Sequence, residues 1–362
     1  MITTVRHNVG DDFVRDGLAY LLEQHFKDRS LRFENVHKHA PITARYRFEN
    51  WRSRMASTAL DAMPLSISKD RILGADLVVQ CGAPVYWCHG LRPGAHCANN
   101  EWYGPLIRRR FSRNKRAKLL NLAAGTCQKY DSDGTEFCNK CLRYAAEFFH
   151  KAKVTTVRDQ LARKVLHSID LDAPLIACSS IFATDRHHAS SEIAEYVALN
   201  FMETGAHYTL GQKINKHRWK HEFTRFYSEI RKYEEVAFIC HNATEIKEAR
   251  QIAADARVLF SEDYADYIRF YSRAKFGIVN RVHGALAIAS FGRPAVVIGN
   301  DSRATMVSEI GLKSFFVNDV DFDVLMAQYE YLRRGADNFA DRFRNLKRSA
   351  YESYMQALST VR

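Results

Sequence analysis

Short apolar runs recur along this chain, separated by stretches in which apolar side chains return every three or four positions. In the first half Ala75–Gln80, Ala117–Ala123 and Lys153–Val157 read as buried strands, and Phe13–Phe26 as an amphipathic helix. In the second half Pro174–Ser179, Glu235–His241, Arg257–Phe260, Phe276–Val279 and Ala295–Ile298 read as strands, with Ile193–Glu203 and Glu245–Ala254 as helices between them. Strand and helix alternating in this way predict α/β architecture with parallel sheets. After Val317 the period becomes helical almost to Arg362, with Leu325, Tyr329, Leu332, Phe339, Phe343, Leu346, Tyr351 and Tyr354 on the apolar side.

The turn-forming stretch Ser168–Pro174 marks a linker, so the expected division is 1–168, 174–320 and a helical 321–362 that packs along the other two. A chain of 362 residues with 46% hydrophobic content has material for two cores. No apolar stretch approaches the roughly 18 to 20 residues that span a bilayer. Met1 leads directly into patterned sequence with no basic flank and apolar run after it, and the expected location is the cytoplasm. A formal charge of +12, from 53 Lys+Arg against 41 Asp+Glu, favours an anionic partner: a phosphate ester, an acidic glycan, a membrane surface or nucleic acid. Seven of the cations crowd into Arg108–Lys118 (Arg108, Arg109, Arg110, Arg113, Lys115, Arg116, Lys118). That run reads either as a peripheral contact with the inner membrane face or as a solvated helix face and loop. Nucleic acid is the poorer fit, because no RNP, zinc-finger or helix-turn-helix pattern accompanies it.

Candidate chemistry concentrates in Phe276–Asp301. A strand ending near Asn280 and a helix starting near His283 place Arg281 and His283 where strand C-termini meet a helix N-terminus, a geometry that binds anions. Arg281 would be a bidentate donor and His283 the group able to move a proton near neutral pH, with His241 at a neighbouring strand end as second candidate. The plainer alternative is a capping arginine and a helix-start histidine. Asn300, Asp301, Ser302 and Arg303 follow the next strand and either line the same cleft or form a turn and cap. Asn8, Gly10, Asp11 and Asp12 at the start of the first helix read as loop and N-cap. Of eight cysteines, Cys127, Cys138 and Cys141 stand as C-x10-C-x2-C, with Cys88 and Cys97 upstream among His89 and His96. Cys127, Cys138 and Cys141, with one of Cys88 or Cys97 and Cys88 as the choice, would complete a tetrahedral zinc site or an iron–sulfur cluster; ordinary thiols or a redox pair are the alternatives. Cys178 and Cys240 lie inside predicted strands and read as core.

Asn8-x-Gly10-Asp11-Asp12 at the start, Thr155-Thr156-Val157-Arg158-Asp159 in the middle and Arg281-x-His283-Gly284 before a Gly292-x-Pro294 turn stand in an order that resembles the polysaccharide pyruvyl transferase family. The resemblance runs from about residue 5 to about residue 315. It implies a GT-B-like fold: two Rossmann-like parallel-sheet domains facing across a cleft, acceptor side first and donor side second. It implies transfer of a pyruvyl group from phosphoenolpyruvate to a sugar hydroxyl of a cell-surface polysaccharide or its lipid-linked precursor. No cofactor is required for that chemistry. Under this reading Arg281, His283 and His241 are catalytic, and Asn8, Gly10, Asp11, Gly284, Asn300, Asp301, Ser302 and Arg303 bind substrate. A glycosyltransferase using a nucleotide sugar and a non-catalytic binder of anionic glycans are the competing readings.

Overall fold

The computed structural model describes residues 1–3, 8–37, 72–81, 84–89, 99–108, 110–335 and 338–361. Cys97, His96 and Arg109 lie outside them. Two sheets, each with six parallel strands, form the frame. The first holds β1 (Ile2–Thr3), β2 (Val36–His37), β3 (Leu77–Cys81), β4 (Pro84–Tyr86), β5 (Lys118–Thr126) and β6 (Val154–Val157). Its order is β2-β1-β3-β5, with β6 also on β5. β4 pairs with Gly125 and Thr126, just past the Lys118–Leu122 stretch of β5 that β3 occupies.

The second sheet holds β7 (Tyr196–Asn200), β8 (Val236–Ile239), β9 (Val258–Leu259), β10 (Ala274–Val279), β11 (Ala295–Gly299) and β12 (Lys313–Phe316), in the order β9-β8-β7-β10-β11-β12. That is the doubly wound Rossmann order, and it reverses between β7 and β10. The helices are α1 (Val9–His25), α2 (Asn139–Lys151), α3 (Gln160–His167), α4 (Lys216–Ile230), α5 (Ala243–Ile252), α6 (Ala265–Ser272), α7 (Val282–Ser290), α8 (Phe322–Arg333) and α9 (Phe339–Leu358). Among the described residues no helix is long and apolar enough to cross a membrane.

Two predicted elements differ. Ile193–Glu203 is not a helix, because its centre is β7, buried at all five positions and paired on both edges. A strand covered on both faces loses the alternation that identifies strands, and the acidic flank of Glu192 and Glu195 imitates an amphipathic pattern. Pro174–Ser179 is not a strand. It makes a single bridge, Val157 to Leu175, and passes into a 3-10 turn, Ser179–Phe182. Its apolar side chains are buried because α1 lies across that turn. The edge strand β12, partly exposed, escaped the sequence pattern altogether.

Helix α1 belongs to the first half by sequence but packs against the Ser179–Phe182 turn, α7 and α9, so one continuous core joins the halves. Gly17 makes that approach feasible: a β-carbon there would overlap the backbone carbonyl of Ser179. Gly17→Ala should therefore lower the unfolding free energy by about 1–3 kcal/mol, despite a helix-propensity gain of about 1 kcal/mol. Urea denaturation checks this, and an unchanged midpoint would show that α1 does not rest rigidly on the turn.

Candidate functional site

The cleft opens where the C-terminal ends of β7, β8, β10 and β11 face the start of α1. Asn280 sets its floor, accepting from the Met202 amide at 2.6 Å and donating to the Ile298 carbonyl at 2.5 Å, which locks the ends of β7, β10 and β11 together. From the first half come Asn8, Gly10 and Asp11. Asn8 is the N-cap of α1, its side chain accepting from the Gly10 amide at 3.2 Å. Gly10 lies on the ring of His283, close enough that a β-carbon would overlap Nδ1.

From the second half come His241, Arg281, His283, Asp301 and Arg303. Gly284, Asn300 and Ser302 do not line the cleft. Gly284 permits the close approach of the Tyr271 hydroxyl, and Asn300 is a fully buried brace that donates to the Thr204 carbonyl at 2.5 Å. Ser302 belongs to the seam between the halves: its hydroxyl accepts from the Gln128 amide at 3.0 Å, its amide donates to the Gln128 carbonyl at 2.9 Å, and Thr126 Oγ1 lies 3.2 Å from it.

Arg281 is not a bare cation. Its Nε donates to Glu245 Oε1 at 2.9 Å, Nη2 contacts the same oxygen, and Nη1 meets His207 Nε2. The Glu245 carboxylate also accepts from Asn200 Nδ2 at 2.8 Å, Asn242 Nδ2 at 2.7 Å and the His241 amide at 2.9 Å. Burial alone would raise its pKa, but Arg281 and these donors outweigh burial and pull it down to about 2. Sequence reasoning missed Glu245 because Asn242-x-x-Glu245 has the form of a capping box, and Asn242 does cap α5.

Arg158 was also missed as a site residue. It is buried, lines the cleft, and places Nη1 at 3.4 Å from His283 Nε2 and 3.5 Å from Cys178 Sγ. Gly125 gives it passage, since a β-carbon there would crowd Nε. Because a guanidinium only donates, His283 Nε2 is an acceptor and its proton sits on Nδ1. Burial, then Arg158 and Arg303, push His283 well below the ordinary imidazole range, so it is neutral here. His241 is pushed down to about 3 by burial and Arg281, with Nε2 at 2.7 Å from the Tyr271 hydroxyl. Arg303 is clamped on Asp301, Nε at 2.9 Å and Nη2 at 2.6 Å, and this pairing holds its charge against burial.

The predicted cysteine set needs a correction. Cys88, Cys138 and Cys141 come together, but the fourth member of the group is His89. Cys127 sits beside Arg303, Asp301 and Asp159 instead, with burial pushing its thiol up to about 12. The basic run does not form one face either. Arg110 is buried, Arg108 pairs with Glu147 at 2.7 Å, and Arg113, Lys115 and Arg116 are exposed.

Two parallel sheets joined across an arginine-lined cleft define a GT-B-type fold. Solved structures share that fold: S. aureus MnaA with UDP, at TM-score 0.54 and 13% identity over 94% of this chain and 89% of that one, and Methanocaldococcus jannaschii UDP-GlcNAc 2-epimerase with UDP-GlcNAc and UDP, at 0.53 and 10% over 94% and 96%. The chain belongs to the polysaccharide pyruvyl transferase family, whose model matches residues 8–302, and is a transferase. No curated protein matches it in sequence.

The depressed His241 makes stability depend on pH. Its folded value of about 3 lies below the usual 6.5, so the unfolded chain takes up a proton that the folded chain refuses, and stability is lost as pH falls from 6.5 toward 3. Asp12, raised to about 7 by burial, works in the opposite sense. Comparing variants isolates the histidine: His241→Gln should remove a slope of up to ~1.4 kcal/mol per pH unit. Urea titrations at several pH values on both proteins read this directly, and parallel curves would contradict a buried neutral His241.

Proposed function

We propose that the cleft binds phosphoenolpyruvate and transfers its pyruvyl group to a sugar hydroxyl of a surface polysaccharide or its lipid-linked precursor. The observation that carries this reading is the convergence of Arg158, Arg281 and Arg303, from three separate segments, around the neutral imidazole of His283. A small donor with a phosphate and a carboxylate on one carbon suits such a charge density.

Arrival of that anion offsets the arginines and raises the basicity of His283, making it the acid for the C3 methylene. As C3 gains the proton, the sugar oxygen bonds to C2, and Asp11 takes the hydroxyl proton from the α1 side of the cleft. A second hydroxyl then displaces inorganic phosphate at C2 and closes a ketal, its proton leaving with the phosphate. The α1 contact through Gly10 excludes water from one face of the imidazole.

Thermal shift tests the donor. Phosphoenolpyruvate at about 100 times its Kd should stabilise the protein by about 2.7 kcal/mol. Arg158→Ala should weaken binding roughly 10- to 100-fold, for the loss of about 1.5–3 kcal/mol. His283→Gln should bind the donor but turn over about 10²- to 10⁴-fold more slowly. Stabilisation by UDP and not by phosphoenolpyruvate would overturn this reading in favour of a nucleotide sugar, as bound by the Methanocaldococcus jannaschii epimerase of the same fold.

For a lipid-linked acceptor, the exposed Arg113, Lys115 and Arg116 support docking on an anionic leaflet. Reversing all three to Glu should abolish co-sedimentation with vesicles containing anionic lipid, and unchanged partition would remove the membrane from the proposal.

A further inference from the structure

Among residues that do not line the cleft, Cys88, His89, Cys138 and Cys141 bring three sulfurs and an imidazole nitrogen within 4.8 Å of one another. Two segments supply them. Cys88 and His89 follow β4, which is held to the end of β5 at Gly125 and Thr126. Cys138 is the residue before α2, and Cys141 lies in its first turn, with the Cys141 amide on the Cys138 carbonyl at 2.9 Å. That turn aims both members of the C-x2-C pair at one point. The Cys138 amide approaches Cys88 Sγ at 3.2 Å, and Cys141 Sγ lies 3.6 Å from His89 Nδ1. Cys88 and Cys141 are buried, while His89 and Cys138 are half-buried and leave a way in from solvent.

The donor set and the spacing both select the occupant. Zinc takes three thiolates and an imidazole in a tetrahedron, with Zn–S about 2.3 Å and Zn–N about 2.0–2.1 Å, which puts neighbouring donor atoms ~3.5–3.8 Å apart. The 3.6 Å approach of Cys141 to His89 matches that edge, and a 4.8 Å ceiling is closed by a small contraction. An iron–sulfur cluster hangs its ligands on separate irons and needs a wider cage. A donor amide on Cys88 Sγ favours a sulfur carrying negative charge, as a metal thiolate does.

We propose that Cys88, His89, Cys138 and Cys141 hold one structural zinc ion. The three thiols give up their protons on binding, and all four donor positions are filled by protein, so the ion does no chemistry on substrate. Its role is to fix the 127–138 loop, which joins β5 to α2, against the segment that follows β4. Gln128 in that loop accepts from the Cys88 amide at 3.1 Å through Oε1, donates to Glu136 at 3.0 Å through Nε2, and makes both backbone contacts with Ser302. The zinc site is thus one residue removed from the seam that joins the halves. This inference is independent of the donor assignment above.

The test is metal content and spectroscopy on the full chain purified under reducing conditions with Zn²⁺ supplied. One zinc per chain is expected, released on titration of thiols with a mercurial. Replacement by Co²⁺ should give the intense visible bands of a tetrahedral site and thiolate-to-cobalt charge transfer. Cys138→Ser and His89→Ala should each weaken zinc binding by more than the ~10- to 100-fold that loss of a supporting contact costs. Cys127→Ser should keep the full equivalent. Should the ligand variants fail to fold, the cobalt spectrum of the wild type still decides. Folded wild-type protein with no zinc and no tetrahedral cobalt spectrum, a Cys138–Cys141 disulfide in its place, or equal loss in Cys127→Ser would each overturn the assignment.

Discussion

The carboxylate of Glu245 is buried at the point where the second sheet reverses its strand order, and the cleft is organised around it. A buried charge is tolerated only with its lone pairs occupied, and here Asn200 from the end of β7, His241 from the end of β8, Asn242 from the α5 cap and Arg281 after β10 all donate to it. Three chain segments, following β7, β8 and β10, are gathered by one anion. The same contact aims Arg281 into the cleft. Burial first, and then the positive field of Arg281, Arg158 and Arg303, keeps two histidines in their neutral form.

The two halves meet through unlike contacts. On one side α1 is swallowed by the second half's apolar core, a broad and nondirectional junction. On the other side the contact is polar and narrow, with Thr126 and Gln128 meeting Ser302 and a bridge from Lys129 to Asp301. Asp301 thus serves twice, clamping Arg303 with its side chain and pairing with the opposite half through its backbone. The arginine's placement depends on the seam.

Most strands were legible because Val, Ile and Leu runs bounded by turn residues have few other uses. β7 was not, since burial on both faces erases its period, and neither was Pro174–Ser179, whose apolar residues are buried by α1 and not by a sheet. At the site, Arg281 and His283 were legible from a strand-to-helix junction that anions favour. Arg158 lay in a recognised motif with no local pattern giving it a task, and its role arises only when Gly125 lets it reach His283 across more than a hundred residues. Linear spacing grouped Cys127 with Cys138 and Cys141, but Cys127 continues the line of β5 toward Arg303. The pairing of β4 with β5 brings in His89 instead.

The contact between Gly10 and His283 carries one more implication. The imidazole owes its depressed basicity to being covered, and part of the cover is main chain from the opposite half. Separation of the halves by even the width of a water layer would hydrate the ring and return it toward ordinary solution behaviour. The proton affinity of His283 is therefore tied to how closely Gly10 of the opposite half covers it. A β-carbon at position 10 would push that ring out of place, so glycine there preserves the cover.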